Sequence, residues 1–235
     1  SFAALLAIGT AGLMLFGSEA EPPKLERNPT HGPGWAVKED PRRFRNMAFG
    51  ARLRESAFQS VSARTAGFNT IDMEKDLTDA SRLWICGLMI VGGSPAGTAG
   101  GMKTVTFTVL LLAAWSMIRR RKEIDAYRRT ISAMLLRRAV TVALLYMMLV
   151  GTVTLLLCLA MPRWDFLKLF FEACSACGTV GLSAGITGQL SLMGKLVVIF
   201  AMLAGRVGPL ALLLAATTHL RPAESEYPSE TVLIG

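Results

Sequence analysis

Two short sequences of the same design lie 114 residues apart and constrain the fold of this chain more than any other feature. The first is Thr65–Asn69, TAGFN, and the second is Thr179–Ser183, TVGLS. Each follows an amphipathic segment too short to cross a bilayer and precedes an apolar stretch that is long enough. A repeated Thr-x-Gly turn in this setting is typical of a pore lined by backbone carbonyl groups, so ion permeation is the leading hypothesis.

The composition is that of a membrane protein. Of the 235 residues, 52% are hydrophobic and only 18% are charged, with a mean hydropathy of +0.44. We therefore predict an all-α integral membrane protein in contact with lipid. The formal net charge of +8 does not indicate a nucleic-acid partner. The basic residues flank apolar spans, where they act as topology signals, and aromatic residues are not interleaved with them.

The apolar segments repeat one layout of helix, short helix, turn and helix. The first copy, residues 1–118, has a helix Phe2–Phe16, an extracellular loop at 19–48, a pore helix at 49–63, a filter turn at 64–70 and a broken helix at 81–118. Five glycines and one proline between Gly92 and Gly101 interrupt that last helix.

A basic connector at 119–132 leads to the second copy. This copy, residues 133–220, has a helix at 133–160, a pore helix at 164–177, a filter turn at 178–183 and a helix at 190–218, and a polar tail follows at 221–235. The cluster Arg119–Arg129 directly abuts two spans, so the connector should be cytoplasmic although the first loop is also basic. Both turns then enter from outside, and such repeats are one way to build a transport path.

The two turns have the chemistry that a dehydrated cation requires. Backbone carbonyl oxygens in a narrow path can replace the hydration shell, and glycine permits the backbone geometry that aims them inward. The C-terminal end of each short helix adds partial negative charge. The predicted filter carbonyls, which would bind K⁺, are those of Thr65, Ala66, Gly67, Phe68, Thr179, Val180, Gly181 and Leu182. The alternative is that Gly67 and Gly181 only allow close packing of helices.

Four stretches of the chain resemble one family. Phe58–Asn69 resembles the third filter region of the Trk/Ktr/HKT potassium-transporter superfamily, and Cys177–Ser183 resembles the fourth. Gly92–Thr104 is similar to the intramembrane gating loop of the third repeat. Arg206, within Ala204–Pro209, resembles the basic residue that faces this loop.

The resemblance carries expectations for the whole protein. It implies potassium uptake through a potassium-channel-like pore of four repeats, of which this chain would hold the last two, in a multi-pass protein of the inner cell membrane. The missing half would lie upstream. The resemblance also implies a homodimer and a cytoplasmic nucleotide-binding regulatory subunit. The basic connector is either a contact for this subunit or a solvated, lipid-facing run of charges. No cofactor is expected beyond the transported K⁺.

A gate is predicted beneath the filter. Gly67 and Gly92 are separated by 25 residues, as are Gly181 and Arg206, so the broken stretch and the arginine should lie at similar depth. An arginine in a spanning helix costs roughly 2.5–3.5 kcal/mol and usually faces a polar path. The predicted gate residues are Gly92, Gly93, Ser94, Pro95, Gly97, Thr98, Gly100, Gly101, Lys103 and Arg206. Lys103 could equally be an interfacial anchor.

Two other functions are weighed against potassium uptake. Each filter turn has one glycine, which leaves a Na⁺ or mixed Na⁺/K⁺ transporter of the same family as an alternative. Gly181–Gly185 also matches the G-x-S-x-G sequence of serine hydrolases, with Ser183 as nucleophile. The chain has only two histidines, His31 in a polar loop and His219 at a helix end, so an enzyme is not expected. Cys174 and Cys177 are interpreted as packing residues.

Overall fold

Seven α-helices make up most of the chain that the structure describes. The computed structural model describes residues 2–17, 47–74, 76–93, 99–120, 125–126 and 129–208. In chain order the helices are α1 (Phe2–Phe16), α2 (Phe49–Ser62), α3 (Asp79–Ile90), α4 (Thr104–Ile118), α5 (Ala133–Ala160), α6 (Phe166–Gly178) and α7 (Leu192–Val207). A short antiparallel pair, β1 (Asp125–Ala126) and β2 (Arg129–Thr130), lies between α4 and α5.

Hydroxyl side chains fix where three of the helices begin. Thr78, Ser132 and Ser191 immediately precede α3, α5 and α7. Each side-chain oxygen accepts a hydrogen bond from a backbone N–H in the first turn, over 3.1, 3.4 and 3.1 Å. These bonds satisfy N–H groups that have no partner inside the helix, so the three helices start at defined residues.

Helix α5 is the element best suited to cross a membrane. It has 28 residues and contains a window with a mean hydropathy of 2.5. At 1.5 Å per residue it is about 42 Å long, more than the hydrocarbon core of a bilayer. Among the described residues, no other helix is both this long and this apolar, although Ala3–Phe16 and Thr104–Ile118 are shorter apolar helices.

The helices pack in two groups, α1–α3 and α5–α7, and α4 packs against α5. Helix α1 contacts α2 and α3, while α5, α6 and α7 all contact one another. The two groups meet where α3 packs against α6. Fully buried side chains fill this junction, among them Ile85 and Met89 of α3, Phe171 of α6 and Leu157 of α5. The second short helix, α6, therefore lies at the centre of the described structure.

The two short helices differ in which face is buried. Every residue of α6 from Phe171 to Gly178 is buried. In α2 the buried residues are polar, Ser56, Gln59, Ser60 and Ser62, whereas Leu53, Phe58 and Val61 are exposed. An apolar face on α2 therefore has no covering among the described residues.

The described elements differ in detail from the predictions. The chain is mostly helical, but the connector at 119–132 contains the pair β1–β2, which the all-α prediction did not include. Of the helix predicted over 190–218, the described part is α7, which ends at Val207, and Gly208 has a φ of 89°. Gly208 precedes Pro209, and the residue before a proline is disfavoured in helical geometry. The pore helix at 164–177 begins at Phe166.

Several predicted segments lie outside the described residues. They are most of the loop at 19–48, residues 94–98 of the glycine-rich stretch, residues 209–218 of the last helix and the tail at 221–235.

Candidate functional site

The two Thr-x-Gly turns lie against each other. A methyl group built on Gly67 would lie 2.5 Å from the carbonyl oxygen of Val180 and 3.5 Å from Cα of Gly181. Any side chain at residue 67 would therefore collide with the second turn. The sequence separates these residues by more than one hundred positions, and the fold brings them into contact.

The turns also share one backbone conformation. Thr65 and Thr179 have φ angles of 70° and 53°, and Gly67 and Gly181 have φ angles of 76° and 92°. A threonine rarely adopts a positive φ, and such strain persists only where the surrounding structure imposes it. In each turn, the threonine and the glycine thus have a positive φ, and the residue between them does not. This shared pattern is what two copies of one turn would show if both direct their peptide groups alike.

Hydrogen bonds of the turn amides fix the direction of the preceding carbonyl groups. The N–H groups of Ala66 and Gly67 donate back to the end of α2 over 3.1 and 3.4 Å, and that of Val180 donates back to α6 over 2.9 Å. A trans peptide points its N–H and C=O in opposite directions. The carbonyl groups of Thr65, Ala66 and Thr179 therefore point away from the two helix ends.

Side chains hold the two turns differently. Val180 and Leu182 are each only 3% exposed, whereas Phe68 in the first turn is 71% exposed. The hydroxyl of Ser62 donates to the carbonyl oxygen of Phe68. The second turn is thus anchored by burial of its own side chains, and the first is anchored mainly by the end of α2.

The glycine-rich stretch between α3 and α4 is closed at its base. Val91 and Met102 form a parallel bridge, and the N–H of Gly92 donates to the carbonyl oxygen of Met102 over 2.8 Å. The ammonium group of Lys103 donates to the carbonyl oxygen of Ala99 over 2.7 Å, so this lysine holds the end of the stretch. Four of the predicted gate residues here, Ser94, Pro95, Gly97 and Thr98, lie outside the described residues.

The end of this stretch reaches the second turn. A methyl group on Gly100 would lie 2.3 Å from Oγ1 of Thr179 and 2.8 Å from the carbonyl oxygen of Gly178. Gly92 in turn contacts the carbonyl oxygen of Gly100. Of the predicted gate residues, Gly92 and Gly100 are therefore brought together directly beside a predicted filter residue.

Arg206 lies at the same end of α6. It is exposed, and it directly follows Gly205, on which a methyl group would lie 1.9 Å from the carbonyl oxygen of Cys177. Cys177 is two residues before Thr179. The arginine is thus carried by a helix end that packs on the residues leading into the second turn.

Sequence reasoning missed the role of Glu172, the most buried acid of the site. This side chain on α6 is 4% exposed, and its carboxylate accepts hydrogen bonds from Ser183, Ala184 and Thr187. An acid within the mostly apolar stretch Leu169–Cys177 was the available signal, because burying an ionisable group in such a segment requires partners. Ser183, weighed above as a nucleophile, donates to this carboxylate.

An ion pair joins the two repeats beside the turns. The ammonium group of Lys168 on α6 lies 2.5 Å from a carboxylate oxygen of Glu74, which follows the first turn. Arg82 on α3 donates to the carbonyl oxygens of Met73 and Glu74. The segment after the first turn is therefore held both to its own repeat and to α6.

Comparison with a solved structure defines the class of fold. The crystal structure of the potassium transporter TrkH from Vibrio parahaemolyticus matches 94% of this chain with a TM-score of 0.67. The identity is 19%, and the match covers 43% of the TrkH chain. The chain thus has the mostly helical fold of this structure.

Sequence comparison then gives the family. The TrkH family model, described as "Cation transport protein", matches residues 36–226, and the chain belongs to this family. The resemblance inferred from the motifs is confirmed. Because this is a family of cation transport proteins, the expectation that the chain is not an enzyme is confirmed as well.

Three relatives illustrate the match. Ktr system potassium uptake protein D of Bacillus subtilis is 38% identical over 180 residues, 77% of this chain. Ktr system potassium uptake protein B of Vibrio alginolyticus is 35% identical over 84% of this chain. The potassium/sodium uptake protein NtpJ of Enterococcus hirae is 35% identical over 80%. The chain spans only 40%, 43% and 42% of the lengths of these relatives.

Proposed function

We propose that this chain forms part of a potassium uptake protein of the inner cell membrane, in which K⁺ passes between backbone carbonyl groups of the two turns. The observation that carries the proposal is the contact between Gly67 and the Val180–Gly181 peptide, made by two turns with the same alternation of φ. The proposed carbonyl ligands are those of Thr65, Ala66, Gly67, Phe68, Thr179, Val180, Gly181 and Leu182.

Several physical features of the turns support this path. Carbonyl oxygens can replace the hydration shell of a monovalent cation at low cost only if they are held in place before the ion arrives. The amide hydrogen bonds to the ends of α2 and α6 hold the peptides of both turns. The C-terminal ends of these helices add partial negative charge beside the path, which favours a cation over an anion.

The choice of potassium rests on the relatives. Two are named potassium uptake proteins, while NtpJ is named a potassium/sodium uptake protein. Transport of Na⁺, or of both ions, is therefore the second candidate. One glycine in each turn favours weaker discrimination against Na⁺ than a filter with two glycines per turn.

We extend the proposal to a gate on the cytoplasmic side of the turns. The glycine-rich stretch would obstruct the path, and the guanidinium of Arg206 would repel cations. The contacts of Gly100 with Thr179 and of Gly205 with Cys177 support it, because both lie at the C-terminal end of α6. The proposed gate comprises Gly92, Gly93, Ser94, Pro95, Gly97, Thr98, Gly100, Gly101, Lys103 and Arg206.

The path would be completed by further parts of the protein. The chain covers about two fifths of its relatives, and the exposed apolar residues Leu53, Phe58 and Val61 of α2 need a covering. An upstream half with two more turns would supply both the covering and the remaining carbonyl groups. A homodimer and a cytoplasmic nucleotide-binding subunit, contacting the connector at 119–132, complete the proposed assembly.

Substitution of Gly67 tests the proposal. In the intact protein reconstituted into vesicles, we expect Gly67→Ala to lower uptake of radioactive rubidium, a K⁺ analogue, by about tenfold. The added methyl meets the carbonyl oxygen of Val180, and a left-handed alanine costs roughly 1–2 kcal/mol.

Gly151→Ala on α5 is the matched control. Its methyl group would meet nothing within 4 Å, so uptake should remain at the wild-type level. Wild-type uptake by a well-folded Gly67→Ala protein would show that ions do not pass this turn.

A further inference from the structure

Glu172 is a buried acid to which the proposed ion path assigns no role. It lies on α6, two turns of helix before Thr179, and is 4% exposed. Placing a carboxylate in such surroundings is unfavourable unless hydrogen bonds compensate for the lost water. The partners of this side chain therefore indicate what the residue is for.

Among the described residues, the hydrogen-bond partners of Glu172 lie in the segment Ser183–Thr187, which begins at the last residue of the second turn. One carboxylate oxygen, Oε1, accepts from the hydroxyl of Ser183, from the N–H of Ala184 over 3.2 Å and from Oγ1 of Thr187 over 3.0 Å. The other oxygen, Oε2, lies 3.1 Å from Oγ1 of Thr187. Ser183 Oγ also accepts from the N–H of Gly185 over 3.0 Å.

These contacts close a loop around the second turn. Glu172 precedes the turn by seven positions and binds the residue directly after Leu182. The turn from Thr179 to Leu182 is thus held at both ends by the same helix, at its start by α6 itself and at its end by this carboxylate. Hydrogen bonds to a charged group are stronger than neutral ones, so the second attachment is firm.

The first turn is held differently: in the described residues, the hydroxyl of Ser62 at the end of α2 donates to the carbonyl oxygen of Phe68, and no buried acid takes the place of Glu172. A shift of 114 residues places Phe58 at the position of Glu172, and Phe58 is 42% exposed. After the first turn, the hydroxyl of the exposed Thr70 donates to the half-buried Glu55 of α2. The two turns thus share positive φ angles at equivalent residues, and they differ in the burial of the acid that binds the chain after each turn.

We infer that Glu172 is a positioning residue whose carboxylate fixes the end of the second turn and thereby sets the preference for K⁺ over Na⁺. The inference rests on the proposed function. Turn carbonyls that cannot move inward remain too far apart to coordinate the smaller Na⁺ well, whereas a loosened turn can close around it. The role requires hydrogen-bond acceptors at residue 172 more than it requires charge.

Three variants of the intact protein separate these roles. We expect Glu172→Ala to lower the ratio of K⁺ to Na⁺ flux in vesicles by about tenfold, because the hydrogen bonds to a charged group are lost. Glu172→Gln keeps an acceptor oxygen and should hold the ratio within about threefold of the wild type. Asp165→Asn removes the same charge from the exposed start of α6 and should leave the ratio unchanged.

Hydrogen exchange provides a second readout that does not depend on flux. The N–H of Ala184 should exchange faster in Glu172→Ala and remain protected in Asp165→Asn. A folded Glu172→Ala protein with an unchanged flux ratio and unchanged exchange overturns the inference. If Glu172→Ala does not fold, Ser183→Ala combined with Thr187→Val removes the donors instead. A lowered ratio there supports the inference, and an unchanged ratio refutes it.

The same experiments distinguish this inference from the proposed function. If the wild-type protein carries no cation flux, the proposed function fails. Faster exchange at Ala184 in Glu172→Ala would then support the attachment of the turn but exclude its role in selectivity. If the wild type carries flux and Glu172→Ala changes neither readout, the inference alone fails.

Discussion

At the scale of single residues, Arg206 is the charge whose position needs most explanation. It lies in the last turn of α7, within a predominantly apolar segment, and is exposed in the described structure. A guanidinium in such a segment is tolerated where it faces a polar path. Its neighbour Gly205 packs against Cys177, two residues before Thr179, and this contact supports the proposal that the charge faces the ion path.

Removal of this charge should raise cation uptake. For Arg206→Ala in the intact protein we expect about a fivefold increase in rubidium uptake. Two unit charges a few ångströms apart in water repel each other by ~1 kcal/mol, and removing this energy from the barrier corresponds to that factor. Arg206→Lys keeps the charge and should differ little from wild type. Arg163→Ala, in the exposed turn after α5, is the control. Equal rubidium uptake in all four proteins would remove Arg206 from the gate.

At the scale of secondary-structure elements, α6 organises the site. It packs against α3, α5 and α7, and its C-terminal end meets the second turn, Gly100 and Gly205. Glu172 near its middle holds the chain after the turn. A change in how any helix packs on α6 is therefore transmitted to the turn.

The contact between α6 and α7 can be tested at Gly205. A methyl group there would lie 1.9 Å from the carbonyl oxygen of Cys177, so Gly205→Ala must push the helices apart. Overpacking of this kind costs roughly 1–3 kcal/mol, and we expect a lower melting temperature of the intact protein in detergent. Gly87→Ala, whose methyl group would meet nothing within 4 Å, should melt no lower than wild type. Equal melting of Gly205→Ala and wild type would argue against this packing.

At the scale of the whole molecule, local patterns in the sequence predicted the secondary-structure elements well, but they predicted few of the contacts between these elements. The apolar run at 133–160 gave α5 with the observed bounds, because burial in lipid requires a continuous apolar helix. The end of α7 at Val207 is likewise explained by a local constraint, because Pro209 disfavours helical geometry at the residue before it.

Contacts between distant residues required the structure. Nothing local to Glu172 reveals that Ser183, Ala184 and Thr187 are its partners, because these contacts depend on the path of the chain through the second turn. The pairing of Lys168 with Glu74 likewise joins two repeats across 94 residues. Such interactions arise from tertiary packing, which periodicity and propensity do not encode.

The central claim for the molecule is that a dehydrated cation passes between main-chain oxygens of the paired turns. The most direct measurement is a crystal structure of the intact protein soaked with rubidium or thallium, with the ions located by anomalous scattering. We predict ion density in direct contact with carbonyl oxygens of Thr65–Phe68 and Thr179–Leu182. Density elsewhere, with these carbonyl groups turned toward protein partners and no ion beside them, would contradict the account.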